Sequence, residues 1–287
     1  MRITKKIFAL AGAAALTLGL SACGGANDSA KDDGEAKDGA KDGGATTLIV
    51  GATPTPHGKI LKFIQDELAE KEGLTLDIKE YTDYVLPNEA LQAGDIDANY
   101  FQHVPYIEQQ IADKGFDFEW GKGIHLEPLG LYSDKLTDIK DIKEGASIGI
   151  INDPSNQARG LKLLSDAGLL KIPADKEFNI AEIQSSAEYN PKKLQFKEVE
   201  GPQLIRSLAD VDAAVINGNF ALEGGKEPKD ALQLESATDN PNSNILAWKK
   251  DSPKLDAIKK LDALLHSDEV KQYIEKEWPN KAVIPAE

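Results

Sequence analysis

Apolar residues recur with two different periods along the chain, and the alternation of those periods sets the expected architecture. Leu48-Ile49-Val50 is a short continuous apolar run closed by Gly51, the pattern of a buried strand. Ile60, Leu61, Ile64 and Leu68 then follow at helical spacing, and Leu74, Leu76 and Ile78 alternate with polar residues as a second strand. The same order returns in the middle of the chain. Ile148 to Ile151 reads as a strand, Asn152-Asp153-Pro154 as a helix start, and Leu161, Leu164 and Ala167 as the buried stripe of that helix. A strand at Leu194 to Phe196, a helix near Gln203 to Leu208 and a strand at Ala213 to Ile216 complete the series. Strands alternating with helices predict an α/β fold with mostly parallel sheets.

The pattern differs before residue 46. Arg2, Lys5 and Lys6 precede an apolar run from Ile7 to Leu20, too short to span a bilayer comfortably but suited to the core of a signal peptide. The run ends in Leu20-Ser21-Ala22-Cys23, which resembles the lipobox of bacterial lipoproteins, so residues 1–22 are expected to be removed and Cys23 lipidated. Gly24 to Ala45 contains only Gly, Ala, Asp, Lys, Glu, Asn and Ser. Such a segment buries too little apolar surface to offset its ordering entropy, so residues 23–45 read as a lipidated cysteine and disordered tether. Its root-mean-square reach is roughly 25 Å for a flexible coil of that length.

Composition narrows the function classes. With 48 acidic and 33 basic residues the formal charge is −15, which would repel a phosphate backbone; no nucleic-acid partner is expected. A single cysteine excludes an internal disulfide framework and a CxxC metal or redox site.

Open parallel sheets bind ligands beyond the carboxyl ends of their strands, which directs attention to the loops after Val50, Ile151 and Ile216. After Ile151, Asp153 as N-cap and Pro154 as first helical residue place Asn156 and Arg159 in the opening turns, three residues apart on one face. A guanidinium and an amide beside free backbone N–H groups form a receptor for a carboxylate or phosphate; a surface ion pair and a simple cap are the equal alternative. Asn217-Gly218-Asn219 brings amides to another strand end, able to read both ammonium and carboxylate. Two segments, Asp83 to Ala90 and Gly94 to Tyr106, interleave aromatic and polar residues in the manner of an apolar pocket with a wet edge.

Those two segments, with Ala52-Thr53-Pro54, Glu127 to Ser133, Asn152 to Asn156, Asp212 to Asn219 and Ala282 to Ala286, resemble the NlpA-type methionine-binding lipoproteins of ABC importers. The resemblance spans residues 47–286 and rests on many ordered motifs. It implies a bilobed periplasmic-binding-protein fold with the ligand, an amino acid, in the inter-lobe cleft. Carried over by position, it implies that Arg159 clasps the α-carboxylate and that Asn156, Asn217 and Asn244 fix carboxylate and ammonium. Tyr84, Phe101, His103 and Tyr106 would enclose the side chain. It implies methionine as ligand, an ABC permease and its ATPase as partners, no cofactor, a monomer, and a lipid-anchored position on the extracytoplasmic face of the cell membrane. Gln157 and Gly160 depart from the family's more usual Glu and Ala.

Other readings are set beside this one. His103 as metal ligand or general base finds no support in the four histidines, at 57, 103, 125 and 266, which form no His-x-x-x-His pair and no histidine-rich loop. No nucleophile elbow accompanies an enzyme reading, so no enzyme is expected. A binder of related amino acids, methionine derivatives or short peptides, and a surface lipoprotein that reuses the fold without transport, are the alternatives. Lobe 1 is expected at residues 46–132 and 246–287 and lobe 2 at 133–245, with crossings at Leu129 to Ser133 and Asn244 to Trp248.

Overall fold

The computed structural model describes residues 45–173 and 178–286; the expected leader, Cys23 and all of the tether but Ala45 lie outside the described residues. The chain begins with strand β1 (Thr46–Ala52), helix α1 (Lys59–Glu67), β2 (Leu74–Glu80), α2 (Leu86–Ala93), β3 (Ala98–His103), α3 (Val104–Lys114), β4 (Phe118–Trp120) and β5 (His125–Leu126). It continues with β6 (Gly130–Tyr132), β7 (Ser147–Ile151), α4 (Pro154–Asp166), α5 (Ile180–Ser185), β8 (Gln195–Val199), α6 (Leu204–Ser207), β9 (Ala213–Ile216), α7 (Gly218–Glu223) and β10 (Gln233–Leu234). It closes with β11 (Asn244–Lys249), α8 (Leu255–Leu265), α9 (Asp268–Glu277) and β12 (Ile284–Pro285).

These strands form two sheets. The first runs β12-β5-β11-β3-β1-β2, with β4 also on β11; the second runs β10-β6-β9-β7-β8. Each sheet has helices on both faces, and the strands show why. In β1, Leu48 and Val50 enter the core shared with α1, α8 and α9, while Ile49 faces the cluster of Leu91, Ile107 and Phe118 beneath α2 and α3. In β7, Ile148 and Ile150 pack on Leu161 and Leu164 of α4, and Ile151 packs on Leu204 and Phe220 of the opposite face. Strands buried on both faces read as continuous apolar runs, which is how they appear in the sequence.

The expectation of mostly parallel sheets is corrected. Parallel pairing joins β1 to β2 and β3, and β7 to β8 and β9. The pairings of β11 with β3, β4 and β5, of β6 with β9 and β10, and of β12 with β5 are antiparallel. The cause is the connection: β6 and β11 are the first strands reached after the chain passes from one sheet to the other. They enter against the direction of their neighbours, without the helical crossover that a parallel neighbour requires.

The exchanges fall before the segments expected to carry them. The chain leaves the first sheet after Leu126 and joins the second at Gly130; it leaves the second after Leu234 and rejoins the first at Asn244. Gly130–Tyr132 is thus already a strand of the second sheet, and Asn244 to Trp248 lies wholly in the first.

Candidate functional site

A small cavity lies between the two sheets. Tyr84, Phe101, His103, Tyr106, Asn156, Arg159, Asn217 and Asn244 all line it, together with Gln102, Glu127, Gly218 and Asn219.

One end is aromatic. Phe101 comes from β3, Tyr106 from the first turn of α3, and Tyr84 from the loop before α2. Their ring centroids stand 5.9, 6.0 and 6.1 Å apart, a mutual edge-and-tilt arrangement, and Tyr84 stacks at 4.8 Å on Phe220 from the second sheet's side. Both phenols are spent: Tyr106 donates to the Tyr84 carbonyl at 2.8 Å, and Tyr84 donates to Asn219 Oδ1. Burial raises both above the ordinary tyrosine value, so the rings present neutral, largely apolar faces. His103 caps α3, its Nδ1 accepting the Tyr106 N–H at 3.2 Å, while its Nε2 donates to Asn156 Oδ1 at 3.2 Å. Burial, then the Arg159 charge, pushes this imidazole down to about 3, so it is neutral with both nitrogens engaged. Gln102 is held back from the centre by Asn88 and Asn99.

The other end is polar and comes mainly from the second sheet. Asp153 caps α4, accepting the Asn156 N–H at 2.8 Å, and Pro154 opens the helix. That cap points Asn156 and Arg159 at the cavity. Asn156 Oδ1 also receives Asn217 Nδ2 at 2.7 Å. Arg159 is not free: Nε and Nη2 form a two-point pair with Glu235 at 2.9 and 2.6 Å, and Nη2 also reaches the Glu127 carbonyl at 3.0 Å. These contacts leave Nη1 to another acceptor. Burial raises the Glu235 carboxyl, but the Arg159 hydrogen bonds and charge outweigh it and hold it below the usual carboxylate range. Glu235 also accepts the Leu129 N–H at 3.1 Å, tying both interlobe connections to the arginine.

Two cavity-lining amide atoms are buried and have no partner among the described residues: Asn217 Oδ1, an acceptor, and Asn219 Nδ2, a donor. Buried polar atoms are rarely left so, and two of opposite sense on one cavity fit a ligand that both donates and accepts.

Beneath the cavity lies a polar knot. Glu127 Oε1 accepts His125 Nε2 at 2.9 Å and Asn244 Nδ2 at 3.3 Å, while His57 Nε2, 3.2 Å from the same oxygen, donates to Asn244 Oδ1 at 3.1 Å. His57 Nδ1 receives the Thr53 hydroxyl at 2.6 Å, and His125 Nδ1 receives the Tyr100 hydroxyl. Burial pushes His57 down to about 4 and His125 to about 3, so both are neutral donors. His57, His125 and Glu127 offer ligand atoms within 4.8 Å of one another, a donor set that zinc takes elsewhere. Here His125 is hydrogen-bonded to Glu127 and Tyr100, and His57 to Asn244 and Thr53, while His103 stands apart from them.

Comparison with known proteins fits this frame. The family model for the NlpA lipoproteins matches residues 48–287. The chain belongs to the NlpA lipoprotein family. Among relatives of this NlpA lipoprotein, the methionine-binding lipoprotein MetQ of Bacillus subtilis (strain 168) is 38% identical over 247 residues, 84% of this chain and 89% of that one. A periplasmic substrate-binding protein of an ABC transporter from Coxiella burnetii is 36% identical with a TM-score of 0.77, covering 83% of this chain and 100% of its own. A nutrient-binding protein from Burkholderia cenocepacia, solved bound to methionine, is 37% identical with a TM-score of 0.76, over 84% and 100%. The NlpA lipoprotein therefore has the bilobed fold of periplasmic substrate-binding proteins.

Four participants were missed by sequence reasoning. His57 follows the first strand in one of the loops singled out, and Glu127 stands in a motif already quoted, so position relative to strand ends could have raised both. His125 carries no local signal. Neither does Glu235, whose partner Arg159 is 76 residues away.

Proposed function

We propose that this NlpA lipoprotein captures methionine in the cavity between its two sheets and delivers it to an ABC importer, anchored outside the cytoplasm through lipidated Cys23. The reading rests on one observation above the others: Asn217 Oδ1 and Asn219 Nδ2 stand unpartnered among the described residues, on a cavity that Arg159 and three aromatic rings also line. An α-amino acid with a long apolar side chain has matching groups. Its carboxylate finds Arg159 Nη1, Asn156 and the Asn219 amide, its ammonium finds the Asn217 and Asn244 oxygens, and a thioether suits rings by roughly 0.3–1.5 kcal/mol per contact.

The relatives add support: one is named for methionine binding, one is solved with methionine, and one is named as an ABC-transporter component. The permease and ATPase are the partners, the protein acts as a monomer, and the bound molecule is released chemically unchanged. Among the described residues no helix is long and apolar enough to cross a membrane, and the relatives' names as lipoproteins agree with attachment by lipid. The two lobes hinge at residues 127–129 and 235–243. Mass spectrometry of the small molecule released from protein purified without denaturation should find methionine at close to one per chain. A different amino acid or a peptide in that position would replace the ligand, and recovery of a cleaved or modified methionine would refute the reading as a binder.

A further inference from the structure

Resting on the amino-acid reading above, we infer that Glu127 is the anion that receives the ligand's ammonium group, and that it restricts the site to ligands with an unblocked, protonated α-amine. The argument is a count of buried charge. Arg159 is the cation of the cavity, and its charge is already matched by the two-point pair with Glu235. Glu127 is a second carboxylate on the same cavity, and only 5% of its surface is exposed. Its nearest neighbours, His57 and His125, bring no charge, because each is buried with Nδ1 receiving a hydroxyl and Nε2 donating, His125 to Glu127 Oε1 and His57 to Asn244 Oδ1.

What surrounds Glu127 is a set of neutral donors, the His125 imidazole, the Asn244 amide and the Asn219 backbone N–H, with the His57 ring close by. Donors converge in this way on an acceptor held as an anion, yet they supply dipoles and no counter-charge. Both side-chain donors lie on Oε1, the oxygen His57 also approaches, so Oε2 remains outside those contacts. Burial raises this carboxyl, and the nearby His57 and Arg159 and the Asn219 N–H offset that rise only in part, Arg159 being already paired with Glu235. An ammonium arriving beside Asn217 Oδ1 and the Asn244 amide supplies the missing charge. A ligand without that ammonium would leave the carboxylate unpaired, and one carrying an N-acyl group would bring no charge.

The test is calorimetry on the full chain with methionine and its des-amino analogue, 4-(methylsulfanyl)butanoate, for wild type, Glu127→Gln and Glu127→Asp. Wild type should prefer methionine at least 100-fold. Glu127→Gln should shrink that preference at least tenfold, chiefly by weakening methionine, while Glu127→Asp, which keeps the charge, should fall between. Equal losses for both ligands in Glu127→Gln, with the preference preserved, would make Glu127 a support for the histidines and overturn the assignment alone. If Glu127→Gln does not fold, wild-type binding of the two ligands with equal affinity overturns it as well. Failure of wild type to bind either ligand would instead remove the amino-acid reading, and this assignment with it.

Discussion

Arg159 shows how a single side chain serves the fold and the site at once. Its guanidinium is nearly buried and its partner Glu235 only slightly less so, and breaking such a pair leaves one charge without its match. Arg159→Ala is therefore expected to weaken methionine binding by at least ~2 kcal/mol and to destabilise the protein by about 3 kcal/mol. Adding Glu235→Ala should restore much of the stability and none of the affinity, because the orphaned carboxylate goes while the ligand's partner stays missing. Urea unfolding and calorimetry on the three variants measure both; wild-type affinity in Arg159→Ala would remove the residue from the site. Residues placed by their own element were legible in the sequence: Asn156 and Arg159 follow from a cap and a helical repeat. Glu235 pairs with Arg159, and His57 and Glu127 both meet Asn244, across long stretches of sequence, and no local periodicity records such pairings.

At the scale of elements, α4 is the clearest case of a local signal that positions chemistry. Asp153 caps it by accepting from the Asn156 N–H, and the same carboxylate holds Asn156 Nδ2 at 3.2 Å, so backbone and side chain of a cavity residue share one anchor. Asp153→Ala should cost about 1 kcal/mol of stability, the usual worth of a cap, and should also lower affinity as Asn156 loses its orientation. A thermal melt with ligand titration checks this; lost stability with unchanged affinity would restrict Asp153 to capping. The helix was legible because Asp-Pro before an apolar stripe is a strong start signal. β11 was not legible as a strand. Asn244 to Trp248 is buried throughout, and a short apolar run does not announce its direction or its neighbours. Only the meeting of β11 with β3, across more than 140 residues of chain, makes it antiparallel and central.

At the scale of the whole molecule, the two lobes bury three histidines around the cavity, and this couples folding to pH. His57 is pushed down to about 4 and His103 and His125 to about 3, against about 6.5 in an unfolded chain. Between those values the unfolded chain binds protons that the native rings refuse, so stability rises with pH. The contribution of these rings is complete above about pH 6.5 and is lost as the pH falls toward 4 for His57 and 3 for the other two. Nitrogen-15 NMR of the imidazoles from pH 8 to 5 should show all three neutral, protonated on Nε2 and not titrating. A ring among them titrating near 6.5 would contradict its place in the network.

The central claim is that a thioether amino acid lies with its sulfur among Tyr84, Phe101 and Tyr106. The sequence permits an unusually direct test, because its one methionine, Met1, and one cysteine, Cys23, both precede the described residues. Long-wavelength anomalous diffraction from a crystal of the folded region grown with methionine should therefore show one strong sulfur peak per chain, at the aromatic end of the cavity. A cavity without an anomalous peak, or a peak at the Arg159 end, would contradict it.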